Sequence, residues 1–175
     1  MQQLYSKIIG CGSYVPEKIL TNSDLEKMVD TSDEWIVSRS GIKERRIVAD
    51  DETSGDMAYA AALDTIKSNC IDKSAIDLIL IATSTPDIVF PSTACILQHR
   101  LGLSHIPAFD LQAACTGFLY AISTADAFIR SRTYKTILVI GVDAVSRIIN
   151  YADRNTCVLF GDGAGAIILQ SSETP

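Results

Sequence analysis

Uniformly apolar strands alternating with amphipathic helices predict an α/β unit, layered and doubly wound, around a five-stranded, mostly parallel sheet with helices on both faces. Three observations carry this. Residues 78–82 (LILIA) and 136–141 (TILVIG) are apolar throughout, the pattern of strands buried on both sides. Residues 53–70 and 117–130 repeat apolar side chains at helical spacing. Residues 108–112 then run straight into the second of those helices through small residues that flank a cysteine: Ala113, Ala114, Cys115, Thr116, Gly117.

In chain order, residues 7–11 (KIIGC) form the first strand, stopped by Gly12 and Pro16. Residues 21–26 open a helix that Asn22 or Ser23 can cap, with Ser23 and Glu26 at capping-box spacing. A second box lies at 31–34, and Gly41 ends that helix. Within it Trp35 and Arg39 are four apart and share a face. An indole stacks on adenine and a guanidinium forks onto phosphate, so the pair suits a nucleotide-bearing substrate; a plain surface packing pair fits the same spacing. Residues 43–48 (KERRIV) are charged and then apolar, a short strand that is either a solvated face or the rim of an anion site. The helix over 53–70 starts at Thr53 or Ser54 and carries Met57, Ala60, Ala61 and Ile66 on its apolar side.

The polar loop 83–87 follows the strand 78–82 at its C-terminal end, where open α/β sheets place their sites. Ile88, Val89 and Phe90 are apolar in a loop, so Phe90 reaches a pocket or a subunit contact, or simply packs. Pro91 and Ser92 start a helix that carries Cys95 and His99 and stops at Gly102. His99 and His105 read as structural or exposed, a hydrolase-type Cys–His pair being the weaker alternative. After the strand 136–141 comes a short helix over 145–150, then Asp153 and Arg154 in a loop. Residues 160–166 (FGDGAGA) lead into a last strand, 167–170; no helix follows these glycines, so they read as a tight turn and not as a phosphate cradle.

Composition bounds the function. A chain of 175 residues with 47% hydrophobic content holds one ordinary globular domain with a full core. No apolar run is long enough to span a bilayer and no leader pattern stands at the start, which argues against a membrane or secretory role. A net charge of −6 argues against a nucleic-acid surface. Five cysteines without a CxxC pair, and two histidines, argue against a metal site and for a reducing cytoplasm.

Cys115 is the focus of the chemistry. At the turn from strand to helix it meets first-turn N–H groups that lack intrahelical partners, and these together with the helix dipole favour the nucleophilic thiolate. Small neighbours leave room for a substrate carbonyl, as in a nucleophile elbow with sulfur for oxygen. A buried structural cysteine fits the local pattern equally well.

Taken together, GSYVP (12–16), DEWI (33–36), RSGI (39–42), FPS (90–92), AACTGF (113–118) and FGDGAGA (160–166) closely resemble β-ketoacyl-acyl carrier protein synthase III, a family of thiolase-like condensing enzymes. The resemblance runs in register along nearly the whole chain. It implies one half of a thiolase-like layered fold, with the last strand antiparallel. It also implies an acyltransferase of fatty-acid biosynthesis: Cys115 takes an acyl group from acyl-CoA, typically acetyl-CoA, and the acyl-enzyme is attacked by the carbanion of decarboxylating malonyl-acyl carrier protein. On the same resemblance Trp35, Arg39, Thr31 and Arg154 contact CoA, Phe90 approaches the neighbouring subunit's acyl pocket and Phe160 walls a pocket. The Cys115 N–H serves as one oxyanion donor. The expected partners are acyl-CoA, malonyl-acyl carrier protein and a second subunit in a homodimer, in the cytoplasm, with no cofactor, nucleic acid or membrane.

One departure is large. The family's catalytic His and Asn lie in a second half of the fold and nothing here matches them. Residues 1–175 are therefore expected to be the N-terminal domain that carries the nucleophile, inactive alone. Two alternatives stay open: another thiolase-like acyltransferase of secondary metabolism, or a half that serves only in binding or assembly.

Overall fold

The computed structural model describes residues 3–174. In chain order the elements are β1 (Tyr5–Tyr14), β2 (Lys18–Thr21), α1 (Asn22–Leu25), α2 (Asp33–Ser40), β3 (Glu44–Ile47), α3 (Ser54–Ser68), β4 (Leu78–Ala82), α4 (Thr93–Leu101), β5 (Ala108–Leu111), α5 (Gly117–Arg130), β6 (Thr136–Ala144) and β7 (Asp162–Ser172). They gather into two compact units. One comprises the chain up to Tyr14, Ser54–Asp143 and the chain from Ala164 onward; the other comprises Val15–Thr53 and Ala144–Gly163.

The first unit is built on a five-stranded sheet in the order β1-β7-β6-β4-β5. β4 runs parallel to both β5 and β6, while β1 is antiparallel to β7. Every residue of β4 is buried, as its unbroken apolar run requires. Leu78, Leu80 and Ala82 pack with Ala121, Ala125 and Ile129 of α5. By strand alternation Ile79 and Ile81 turn to the opposite face, and both are also fully buried. The apolar periodicity of 117–130 thus places α5 on the sheet where the sequence predicts it, over Gly117–Arg130.

Glycine in β1 sets the distance to α3. A Cβ on Gly12 would stand 2.4 Å from the Thr65 backbone nitrogen and 2.7 Å from its Oγ1, so the helix lies directly on the strand. The FGDGAGA segment departs from the expected turn. β7 begins at Asp162, and Gly165 pairs with Ser13 inside the antiparallel ladder. These residues extend a strand that pairs with nine of the ten residues of β1, Ile9 being skipped at a bulge.

In the second unit β2, absent from the sequence-based expectation, pairs antiparallel with β3. Leu25, Ile36, Cys157 and Val158 form its buried cluster, with Leu20, Trp35, Ile42 and Tyr151 packed around them. The first helix is capped by Thr21, not by Asn22 or Ser23: Thr21 and Asp24 form the reciprocal capping box. The reason is that Asn22 is buried and committed to other partners, and Glu26 is turned to accept the Asp33 N–H at 2.6 Å.

Gly12→Ala is expected to force β1 away from α3, costing about 1–3 kcal/mol as overpacking does. Thermal unfolding should show Tm lower by several degrees; an unchanged melt would mean that α3 yields freely. The hydrogen bonds from Lys27 and Thr21 hold the Asp24 carboxyl from 3.8 down to about 2. Because the folded value is depressed, the cap's contribution is intact above the ordinary carboxyl range and lost as pH falls toward 2. An NMR titration of Asp24 should therefore show its midpoint near 2, and Asp24→Asn should flatten this part of the acid limb.

Candidate active site

β5 ends at Leu111, Ala114–Thr116 makes a single 3-10 turn, and α5 starts at Gly117. Ala114 takes φ +45°, a left-handed conformation that disfavours any side chain. Cys115 follows it and is exposed, which removes the buried structural cysteine as an account of this residue. Thr116 folds back on the turn, its N–H and Oγ1 both donating to the Ala113 carbonyl at 3.2 and 2.8 Å. No side chain caps α5, so its first-turn N–H groups are free of a capping oxygen beside the sulfur-bearing turn. The helix start is held by close packing: a Cβ on Gly117 would stand 3.2 Å from the Ala82 Cβ, and one on Gly141 would meet Phe118 at 3.1 Å.

Carboxylates organise the loops at the C-terminal ends of the parallel strands. Asp143 Oδ1 accepts the Ser84 N–H at 2.7 Å and the Thr83 and Thr85 hydroxyls at 3.3 Å. Asp110 accepts the Thr93 and Ala94 N–H groups at 2.9 and 2.8 Å, fixing α4 to β5. Between these anchors the loop carries Val89 and Phe90, exposed by 97% and 87%.

The second unit presents a separate cluster. α2 begins at the Ser32 cap and ends at Gly41, whose φ of +73° is the left-handed stop expected of it. Trp35 is half-buried on the Leu25, Ile36, Cys157 and Val158 cluster. The Arg39 guanidinium carbon lies 4.5 Å from its ring centre, and that of Arg154 lies 4.7 Å away. Both are within cation–π range, so two guanidinium groups share one indole. Arg154 also pairs with the fully exposed Asp30 at 3.5 Å. Thr31 Oγ1, one residue on, is buried and lacks a hydrogen-bond partner among the described residues. Phe160 is 40% exposed in the turn before β7. The next residue, Gly161, lies so close to β3 that a Cβ would meet the Arg46 carbonyl at 3.0 Å and the Arg45 Cβ at 3.1 Å.

A family model of 3-oxoacyl-[acyl-carrier-protein (ACP)] synthase III matches residues 109–175, the part that contains the Cys115 turn and β7. Over 172 residues the chain is 56% identical to the β-ketoacyl-[acyl-carrier-protein] synthase III of Xanthomonas campestris pv. campestris strain 8004, covering 98% of this chain and 53% of that protein. Nearly the whole chain is thus similar to one half of a β-ketoacyl-[acyl-carrier-protein] synthase III. It spans about half the length of the curated relatives it matches. Among solved structures, 3-oxoacyl-[acyl-carrier-protein] synthase III from Aquifex aeolicus VF5 superposes with a TM-score of 0.93 at 52% identity, over 96% of this chain and 54% of that one. The priming β-ketosynthase from the R1128 polyketide pathway superposes with a TM-score of 0.94 at 35% identity, over 99% and 52%. The fold is one half of the thiolase-like architecture of these enzymes.

Of the residues singled out from this family's pattern, the structure brings Trp35, Arg39 and Arg154 together and leaves Cys115 exposed on its own turn. Phe90 stands out on a loop. Two features escaped the sequence reading. The left-handed turn falls on an alanine, where no glycine signals it. Arg45, in what read as a charged stretch, is buried at 4% exposure and bonded to Asn22 and Val158. Neither has a local sequence signal; only the partners, 23 and 113 residues away in the chain, define the site of Arg45.

Thiol accessibility separates the cysteines. Cys11, Cys70 and Cys115 are exposed, whereas Cys157 is buried and its burial pushes the thiol up, disfavouring the thiolate. At pH 8 a charged disulfide reagent is expected to modify Cys115 in the native protein and to spare Cys157 until denaturant is added. Peptide mapping of the modified thiols checks this, and early modification of Cys157 would contradict the packing of its cluster.

Proposed function

We propose that the full-length protein to which this chain belongs is an initiating condensing enzyme of fatty-acid synthesis, and that this chain supplies its nucleophile and much of its grip on CoA. Cys115 accepts the acyl group of an acyl-CoA, acetyl-CoA being the expected primer. The thioester bond to CoA breaks, a thioester to Cys115 forms, and CoA leaves as the thiol. The carbanion released by decarboxylation of malonyl-acyl carrier protein then attacks that thioester, giving 3-oxoacyl-acyl carrier protein and freeing the sulfur. Splitting the transfer in two gives ping-pong kinetics. The observation that carries this reading is the exposed cysteine on a strained turn at the uncapped start of α5, with backbone N–H groups beside it to receive the developing oxyanion.

Trp35, Arg39 and Arg154 hold the nucleotide end, the indole and guanidinium planes offering stacking surfaces and the cations taking the phosphates. Thr31, with its unpartnered hydroxyl, adds a polar contact there. Phe160 lines the acyl path and Phe90 reaches the second subunit of a cytoplasmic homodimer. Condensation itself needs the His and Asn of the family's other half, so this chain alone is inactive as a synthase.

Intact-mass and peptide analysis of the full-length protein after incubation with acetyl-CoA should find one acetyl group, on Cys115. Cys115→Ala should abolish it and lower condensation by about a thousandfold or more, as loss of a covalent nucleophile does. Acetylation elsewhere, or a fully active Cys115→Ala, would overturn the assignment. Trp35→Ala should raise KM for acetyl-CoA about tenfold, in line with loss of one stacked base. With S-acetyl-N-acetylcysteamine, which lacks the nucleotide, the rate should hold.

A second reading has a specific observation behind it: the likeness to a priming β-ketosynthase of a polyketide pathway. The acyl group recovered on Cys115 from a mixture of CoA thioesters separates the two, a short straight acetyl favouring fatty-acid initiation.

A further inference from the structure

The groups that hold Trp35 and its two arginines in place converge on one buried cation. Arg45, on β3, is 4% exposed. Its Nε and Nη2 both donate to the Val158 carbonyl, and Nη1 donates to Asn22 Oδ1. These acceptors are neutral, although a buried guanidinium ordinarily requires strong compensation. Each leads toward the Trp35 cluster.

Asn22 is 1% exposed, and its Nδ2 donates to Asp33 Oδ1 at 2.7 Å and to the Ile42 carbonyl at 2.9 Å. Asp33 opens α2 and Ile42 follows its stop, so Asn22 grips both ends of the helix that carries Trp35 and Arg39. Val158 closes the turn that begins at Asp153, where the Thr156 and Cys157 N–H groups return to the Asp153 carbonyl at 3.2 and 3.0 Å; Arg154 sits within that turn. One rigid fork therefore ties the helix bearing Trp35 and Arg39 to the turn bearing Arg154.

We infer that Arg45 is a positioning residue for nucleotide binding: through Asn22 on one side and Val158 on the other it sets the spacing of the Arg39 and Arg154 guanidinium groups about the Trp35 indole. The inference rests on the proposed role of Trp35, Arg39 and Arg154 in holding CoA. Lysine cannot replace Arg45, since a single ammonium cannot span both acceptors in the fixed geometry of the fork. Removing the link costs recognition of the nucleotide and leaves the chemistry at the thioester untouched.

The test compares Arg45→Lys, Arg45→Gln and Asp33→Ala with wild type in the full-length protein, using acetyl-CoA and S-acetyl-N-acetylcysteamine as acyl donors. Asp33 is exposed, so its variant breaks the far link without opening the core. Each variant should raise KM for acetyl-CoA about fivefold, the effect of losing one hydrogen bond, with kcat and the cysteamine rate held within about twofold. The indole N–H resonance of Trp35, assigned with Trp35→Phe, should shift in all three. Equal losses with both donors would show a general structural role and overturn the inference, as would unchanged KM and an unmoved indole signal. If Arg45→Gln does not fold, Asp33→Ala decides. Trp35→Ala is the control for the underlying reading: if it fails to separate the two donors, the nucleotide site itself is misplaced, whereas if it separates them and the Arg45 and Asp33 variants do not, only the role of Arg45 falls.

Discussion

Backbone polar groups must be satisfied wherever a strand of the central sheet ends, and aspartates meet that demand. Parallel strands cannot be joined by tight turns, so the chain leaves β4, β5 and β6 through longer connections whose N–H groups lack ladder partners. Asp77, just before β4, takes the Lys135 and Thr136 N–H groups at the start of β6 at 2.8 and 3.1 Å. Asp110 takes the first N–H groups of α4, and Asp143 takes the loop beyond β4. In the other unit the buried Asp162 accepts from the Val48 and Ser146 N–H groups at 2.8 Å each. Each carboxylate accepts from donors of an element distant in sequence, so the same bonds that satisfy the backbone also set the relative placement of strands and helices.

The Cys115 turn is where that economy is broken. Here no side chain caps the helix and a non-glycine residue stands at positive φ. Strain of this kind persists only where the surroundings over-determine the backbone. The surroundings are visible: Gly117 against Ala82 and Phe118 against Gly141 leave the start of α5 no alternative seat. A cap would relieve the helix but would occupy the first-turn donors that now stay open beside the sulfur. The exposed sulfur and the missing cap are two sides of one arrangement.

What could be read in advance follows from how local the cause is. β4 and α5 fall within the residues their apolar periodicity marks, since burial on both faces or along one stripe is written in consecutive side chains. Gly41 and Gly102 end their helices as left-handed stops because the αL position selects glycine locally. The start of β7 is hidden because Gly163 and Gly165 look like a turn until β1 is known to pair with Ala164 and Gly165. The cap of α1 escapes local reading for a like reason: Asn22 is a good cap by itself but is claimed by Asp33 of α2, by Ile42 in the connection after it and by Arg45 of β3. At the site, Cys115 stood out by its small neighbours and the stop-start of strand and helix. The pairing of Trp35 with Arg154 spans more than a hundred residues and came only through the family pattern.

The Trp35 cluster shows which of its contacts can define geometry. The Arg154–Asp30 pair is 3.5 Å long with a fully exposed carboxylate, and such pairs contribute about 0–1 kcal/mol and are screened by salt. The guanidinium contacts to the indole are worth about 0.5–1 kcal/mol each at exposed sites. Neither is strong enough to hold two flexible arginine side chains against their rotamer entropy, which is of similar size or larger. The backbones that carry them are held instead from beneath, by buried hydrogen bonds of Arg45 and by the part-buried ones that Asn22 passes on to Asp33 and Ile42. Surface contacts of this strength can be given up at little cost, as the proposed nucleotide binding requires, while the buried fork keeps the helix and the turn in place.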